Sequence, residues 1–274
     1  MSLTLTLRQP PPGRISLAGI LPQRLAGLSL AEIERLPLRW GGQTPALGEF
    51  FRASGAPGPR LAFEGMDARF ADVARGMAAG ECDIEGDAGD FVAAELSGGR
   101  VTVRGSVGRL AASGMRGGLL HVRGDAGERL GAALPWLAAG MQGGRVVVEG
   151  RAGARCGERL RRGEILVGGD AGDFCGALMV AGTLAVGGRL GAHAGYAMRR
   201  GSLLLFGAEP APAPGFVETV CAAESFLALL HASWHKETVP EALAARLDAA
   251  TAWRGRRWLG DLASDGRGEI IRLL

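Results

Sequence analysis

RVVVEGRAGARCGERLRRG (145–163), EILVGGDAGDFCGALMVAG (164–182) and TLAVGGRLGAHAGYAMRRG (183–201) are consecutive segments of equal length with glycine at the same places. Upstream, the pattern extends through ECDIEGDAGDFVAAELSGG (81–99), RVTVRGSVGRLAASGMRGG (100–118) and LLHVRGDAGERLGAALPWLAAGMQGG (119–144), the last being seven residues longer. SLLLFG (202–207) begins one more repeat, and LAFEGMDARFADVARGMAAG (61–80) reads as a degenerate first one. The period is 19. Glycine fills position 6 (Gly86, Gly105, Gly124, Gly150, Gly169, Gly188) and position 9 (Gly89, Gly108, Gly127, Gly153, Gly172, Gly191). It also closes each repeat, at Gly99, Gly118, Gly144, Gly163, Gly182 and Gly201. Position 13 is glycine (Gly131, Gly157, Gly176, Gly195) or small (Ala93, Ala112).

Each repeat opens on a strand of period two. Positions 2 and 4 are apolar (Val101 and Val103, Val146 and Val148, Ile165 and Val167, Leu184 and Val186), and position 16 is Leu96, Met115, Leu134, Leu160, Met179 or Met198. One short apolar strand cannot bury itself, but equivalent strands stacked about 4.8 Å apart can. Glycine is expected at the corners because it reaches φ > 0 without a Cβ penalty. The expected fold is all-β, a right-handed parallel β-helix, with the hand set by the chirality of parallel crossovers. Seven such coils make a rod about 34 Å long. A leucine-rich repeat would need leucines and an asparagine at fixed spacing, and a propeller blade would need about 40 residues.

The rest of the chain fits this reading. Of 274 residues, 46 are glycine and 47% are hydrophobic, without the strict triplet period of collagen. Basic and acidic residues number 31 and 28, a balance that does not point to nucleic acid. Lys236 is the single lysine, an arginine bias expected of a GC-rich bacterial genome. The start, MSLTLTLRQPPPGR, lacks the basic and apolar regions of a signal peptide. No apolar run is long enough to span a bilayer. The four cysteines (Cys82, Cys156, Cys175, Cys221) form no CxxC pair, which fits cytoplasmic free thiols.

Stacking in register turns positions into columns. Position 7 reads Asp87, Ser106, Asp125, Arg151, Asp170, Arg189; position 10 begins Asp90, Arg109, Glu128; position 5 begins Glu85, Arg104, Arg123, Glu149. Alternating signs predict salt bridges between coils, each worth at most about 1 kcal/mol at a surface. Cys156 and Cys175 share position 12 with Val92, Ala111, Leu130 and Ala194, so they are expected inward and adjacent, as packed thiols or else as a disulfide or metal pair. His121 is placed on an outer strand face and His193 on a corner, while His231 and His235 stand four apart on a predicted helix without a third ligand in sight. The glycine strings resemble a phosphate loop, but no long helix follows any of them. Neither a catalytic set nor a metal site is expected in this chain.

Two surface features remain. Val147, Leu166 and Ala185 at position 3, with Leu203 and Leu205, predict an exposed apolar stripe that needs a partner or a covering segment. Arg161, Arg162, Arg199 and Arg200 cluster at positions 17 and 18, with Arg159 and Arg116 nearby. Such an edge is either solvated or a docking surface for an acidic partner or polyanion. The division expected is a cap over 1–60, the β-helix over 61–207, and an extension over 208–274. Within the ends, Leu3–Arg8 reads as a strand, Leu30–Leu36 as a short helix, 222–235 as a helix with Phe226, Leu227 and Leu230 on one face, 241–252 as a second helix behind Pro240, and 257–273 as a hairpin turning at Asp265-Gly266. APAPG (211–215) reads as the linker.

The glycine-marked coils resemble the GXGXG solenoid family, which includes the C-terminal β-helix of the glutamate synthase large chain and the β-helical C component of formylmethanofuran dehydrogenase. The free-standing layout and the terminal GDLASDGRGEI (260–270) resemble that dehydrogenase component, over nearly the whole chain. With a bacterial composition, the resemblance implies a formyltransferase/hydrolase complex of C1 (formaldehyde) oxidation. That assembly moves a formyl group from tetrahydromethanopterin to a methanofuran-type carrier and releases formate. Implied partners are an amidohydrolase-like hydrolase carrying the metal, a formyltransferase and a chain like the B component of the dehydrogenase. The resemblance implies structural glycines and no catalytic residue here, and suggests that the arginine edge meets the carrier's polyglutamate tail. A CO₂-reducing formylmethanofuran dehydrogenase, or a glutamate-synthase-like spacer, are the alternatives.

Overall fold

The computed structural model describes residues 2–207, 213–220, 224–234, 238–249 and 255–273. In chain order the strands are β1 (Ser2–Leu7), β2 (Ile15–Ser16), β3 (Phe51–Gly55), β4 (Arg60–Met66), β5 (Phe70–Ala71), β6 (Glu81–Gly86), β7 (Arg100–Val103), β8 (Leu119–Val122), β9 (Gln142–Val148), β10 (Arg162–Val167), β11 (Thr183–Val186), β12 (Ser202–Leu205), β13 (Val217–Thr219), β14 (Gly255–Gly260) and β15 (Gly268–Leu273). The helices are α1 (Pro22–Leu25), α2 (Leu30–Glu34), α3 (Leu47–Phe50), α4 (Glu224–Trp234) and α5 (Glu241–Ala249).

One 13-stranded sheet runs β13-β14-β15-β12-β11-β10-β9-β8-β7-β6-β4-β1-β3. Neighbours from β1 through β12 and on to β15 pair parallel, while β3, β14 and β13 are antiparallel. The register joins like positions of the sequence repeat: Glu81 with Arg100, Arg100 with Leu119, Leu119 with Arg145, Arg145 with Glu164, Glu164 with Thr183, and Thr183 with Ser202. A second row of parallel bridges runs Ala88, Val107, Ala126, Ala152, Ala171, Leu190. Mostly parallel strands stacked in sequence order are consistent with a β-helix. Its inner columns are buried throughout, from Leu3 and Leu5 through Val146 and Val148 to Ile270.

The glycines have two separate causes, not the single one expected from the sequence. Closing glycines do adopt positive φ, from +83° at Gly99 to +98° at Gly201. At positions 6 and 9 only Gly86 does; the other glycines there have ordinary φ and lack room instead. A Cβ on Gly105 would lie 2.2 Å from Asp87 Oδ1 and 2.6 Å from the Gly86 carbonyl carbon. Many corners with positive φ are instead held by larger residues at position 11: Phe91, Leu110, Arg129, Arg155, Phe174 and His193.

The longer third repeat shifts one assignment. Met141, not Leu134, takes the position-16 place, because its Cε faces Gly163 as Met115 Cε faces Gly144 and Met179 Cε faces Gly201. The added residues lie between Gly131 and Met141 and leave Trp136 63% exposed.

The ends extend the sheet. β1 is the expected N-terminal strand and α2 the expected short helix. Ser29 caps α2 through a reciprocal box with Glu32. β14 and β15 form the expected hairpin, with Asp265 left-handed at φ 51°. β15 then pairs parallel with β12 and so continues the stack. The apolar stripe also differs from expectation. Leu203 and Leu205 point into the core, and Leu204 stands outward beside Val147, Leu166, Ala185 and Ile271. That stripe is buried under α4 and α5 through Leu227, Trp234 and Leu243. Phe226, expected on the packing face, is 38% exposed. The earlier repeats carry Asp83, Thr102 and His121 at position 3, outside the covered apolar stripe.

Candidate functional site

The carboxylate columns prove structural in geometry. Asp87 Oδ1 accepts the Ser106 N–H at 2.8 Å, Ser106 Oγ the Asp125 N–H at 3.0 Å, Asp125 Oδ1 the Arg151 N–H at 2.7 Å and Asp170 Oδ1 the Arg189 N–H at 2.7 Å. Asp90 and Asp173 do the same for Arg109 and Ala192, each at 2.8 Å. The position-7 column is therefore a ladder of side chain to backbone amide, not the predicted ladder of salt bridges. A carboxylate accepting an amide is a stronger interaction than an exposed ion pair, which is why aspartate suits the place whatever stands above it. Salt bridges do occur in the other two columns, Glu85 with Arg104 at 3.0 Å and Arg109 with Glu128 at 3.5 Å. Glu149 pairs with His121, at 2.9 Å, rather than with Arg123, and its other oxygen accepts the Glu241 N–H that starts α5. The position-6 glycines are joined directly: Gly124 N–H to Gly105 O at 2.9 Å, Gly169 to Gly150 at 2.8 Å and Gly188 to Gly169 at 2.9 Å.

Glu158 is a buried carboxylate, 6% exposed, gripped by Arg129 and Arg155 at 3.1 Å each. Arg155 also lies over Phe174, which stacks on His193. These flat groups occupy consecutive rungs at position 11, so they brace one edge of the stack. No three His, Cys, Asp or Glu side chains gather to hold a metal among the described residues. His235 and Cys221 lie outside the described residues.

Cys156 and Cys175 are adjacent, fully buried and not disulfide-bonded. The bond to Cys156 and then burial hold the Cys175 thiol well above the ordinary range; burial does the same for Cys82. An unfolded cysteine ionises near pH 8.5, so above that the unfolded chain releases protons that the folded chain keeps. Stability is then expected to fall as pH rises past about 8.5, by up to about 1.4 kcal/mol per unit for each of these two thiols. Urea midpoints measured under reductant at pH 7.5 and 9.5 should differ. The difference should shrink in Cys82→Ala and Cys175→Ala, and an equal drop in all three proteins would contradict it.

The arginine edge is a further charged feature of the surface. Ladder bonds place Arg116, Gln142, Arg161, Val180 and Arg199 in one row: Arg161 N–H to Met141 O at 2.9 Å, Val180 to Leu160 at 2.8 Å, Arg199 to Met179 at 2.8 Å; Arg267, whose N–H bonds to Arg199 O at 2.7 Å, stands beside Arg200 at the next position. Arg162 and Arg200 follow Arg161 and Arg199, and all four are exposed. Arg159 is exposed but stands two positions earlier, outside the row. Among the described residues none of these guanidiniums has a carboxylate within ion-pair distance. The structure separates them into two groups, with Val180 on the intervening rung. Arg199, Arg200 and Arg267 line an open depression of about 500 Å³ with Ser264 and Asp265. Arg267 was not among the residues singled out from the sequence. Its signal was the likeness of GEIIRL (268–273) to a strand rung, which sets Glu269 against Ser202 and so brings Arg267 beside Arg200. Chemically the row offers paired donors to carboxylate or phosphate.

No family model matches the chain, and no curated protein matches it. Among solved structures it resembles a chain of the formyltransferase/hydrolase complex (FhcABCD) from Methylorubrum extorquens, solved in complex with methylofuran. The two are 37% identical, the match covers 99% of each chain, and the TM-score is 0.91.

Proposed function

The chain belongs to the family of that formyltransferase/hydrolase-complex chain, and from this we propose that it is the non-catalytic β-helical component of such a complex. Its body would be the right-handed stack of nineteen-residue coils over 61–207, with 1–60 and 208–274 closing the ends. The complex would transfer a formyl group from tetrahydromethanopterin to a methanofuran-type carrier and release formate in bacterial C1 oxidation, in the cytoplasm. A hydrolase, a formyltransferase and a chain like the dehydrogenase's B component would hold the reacting centres and the metal. One observation carries the reading, the match over the full length of both chains. The geometry agrees with a supporting role, because the repeated aspartates are already bonded to backbone amides of the next rung.

Expression of the tagged chain with its companion subunits should yield a stable heteromeric complex that releases formate from formyl-tetrahydromethanopterin without an electron acceptor. A complex that requires a redox partner, or a chain that purifies alone and active, would overturn the reading.

Within that assembly the arginine edge would contact the acidic tail of the carrier. Replacing Arg161, Arg162, Arg199 and Arg200 by alanine is expected to weaken carrier retention by about tenfold or more, with the effect fading at high salt. The set of chains recovered in the complex should not change. Full retention of the carrier in the quadruple variant at low salt would remove this role.

A further inference from the structure

A helix lying on a protein surface ordinarily turns charged residues to water. α5 does so, exposing Glu241 and Arg246. α4 does not. Its inner face sets Leu227 and Trp234, 2% and 1% exposed, on the apolar stripe. Its described outward residues are Ser225, Phe226, Ala228, Leu229, Ala232 and Ser233, without a single charge. Leu229 is 73% exposed and Phe226 38%. Val217 and Val220, which precede α4 in the chain, are 53% and 84% exposed.

We propose that the outward face of α4, centred on Leu229 and Phe226, is the docking surface for another subunit of the complex, one that presents an uncharged apolar face. The inference rests on the assembly reading above. Two observations choose the occupant. The described residues of the patch carry no charge, so a partner placing ionic groups against them would lose hydration without gaining an ionic contact there. An acidic segment or a polyanion has the arginine row instead. And the chain's full-length relative is a component of an assembly of different subunits, the setting in which permanent interfaces are the more apolar ones. Leu229 contributes nothing visible to the fold itself, being nearly free of intramolecular cover.

The test introduces a photo-crosslinking residue at position 229 in the full chain, co-expressed with its companion subunits. The expected product is this chain joined to one different subunit. In parallel, Leu229→Glu should lower recovery of the complex by about tenfold or more, while the isolated variant keeps the wild-type melting temperature. A crosslink to a second copy of this chain, or a Leu229→Glu complex recovered in full yield, would overturn the proposal while leaving the assembly reading intact. A wild-type chain that joins no other subunit would overturn both.

Discussion

Gly105→Ala is expected to destabilise the chain by about 3–5 kcal/mol, although it adds a single methyl group to a residue of ordinary φ. The added Cβ would lie 2.2 Å from Asp87 Oδ1, 2.6 Å from the carbonyl carbon of Gly86 and 2.6 Å from its oxygen. Two of these atoms are backbone of the next rung, and that rung is held at strand spacing by the hydrogen bond from Gly105 N–H to Gly86 O at 3.0 Å. Overpacking alone costs about 1–3 kcal/mol. Pushing Asp87 aside also forfeits its bond to the Ser106 amide, and a hydrogen bond to a charged group is worth about 1.5–3 kcal/mol. Gly42→Ala is the control: its Cβ meets nothing within 4 Å and its φ is not positive, so the effect should stay within about 0.5 kcal/mol. Urea unfolding of the three proteins checks this. A second comparison separates the two contributions. Asp87→Ala combined with Gly105→Ala removes the carboxylate contact but leaves the backbone contact, so the double variant should remain well below Asp87→Ala alone. Equal stability of Gly105→Ala and Gly42→Ala would show that the stack can open locally, and the steric account of positions 6 and 9 would fail.

Trp234→Ala should release α4 from the sheet without unfolding the stack. Trp234 is 1% exposed and is among the largest side chains so fully buried. It packs with Leu227 and Leu243 on Val147, Leu166, Ala185, Leu204 and Ile271. Truncating a buried tryptophan costs about 3–5 kcal/mol. That cost falls on a satellite cluster, since the core from Leu3 to Ile270 lies on the other face of the same strands. Limited proteolysis is expected to cut the variant at α4 and α5 at least tenfold faster than wild type. The terminal hairpin should stay bound, because β15 is paired to β12 along Ser202–Leu205. Cleavage spread evenly along the chain would mean that the helices and the stack unfold together. An unchanged rate would mean that Trp234 does not hold the cover.

The strand faces were readable before any coordinates because period two and period nineteen coincide along the repeat. Val146, Ile165 and Leu184 can be assigned inward from spacing alone, and the pairings Arg145 with Glu164 and Glu164 with Thr183 follow. Where the spacing broke, the reading slipped. Counting nineteen from Leu119 put Leu134 in the core column, but the seven extra residues precede that position and Met141 occupies it. Counting through SLLL placed Leu203 and Leu205 outside, although they continue the inward positions of Leu184 and Val186; Leu204 is the outward residue. Charge columns misled for another reason. Alternating signs at Asp125, Arg151, Asp170 and Arg189 suggested ion pairs, but aspartate is short and reaches the nearest amide of the next rung before any guanidinium.

The candidate site divides in the same way. Arg161, Arg162, Arg199 and Arg200 announce themselves as doublets in the repeat. Arg267 and the depression it completes arise only because a hairpin more than sixty residues downstream adds one more rung to the sheet. By itself the amino-acid order determined the stack, since a repeated strand with one apolar face and no room for a Cβ at its tightest contacts is buried best by another copy of itself. Tertiary structure alone decided which surfaces the stack leaves bare. It turned the outer apolar stripe from an open face into a covered one and left the described outward residues of α4, Leu229 and Phe226 among them, as an apolar surface. The reason is physical. Burial within a repeat follows from local spacing, whereas burial of its outer face depends on where distant segments come to rest.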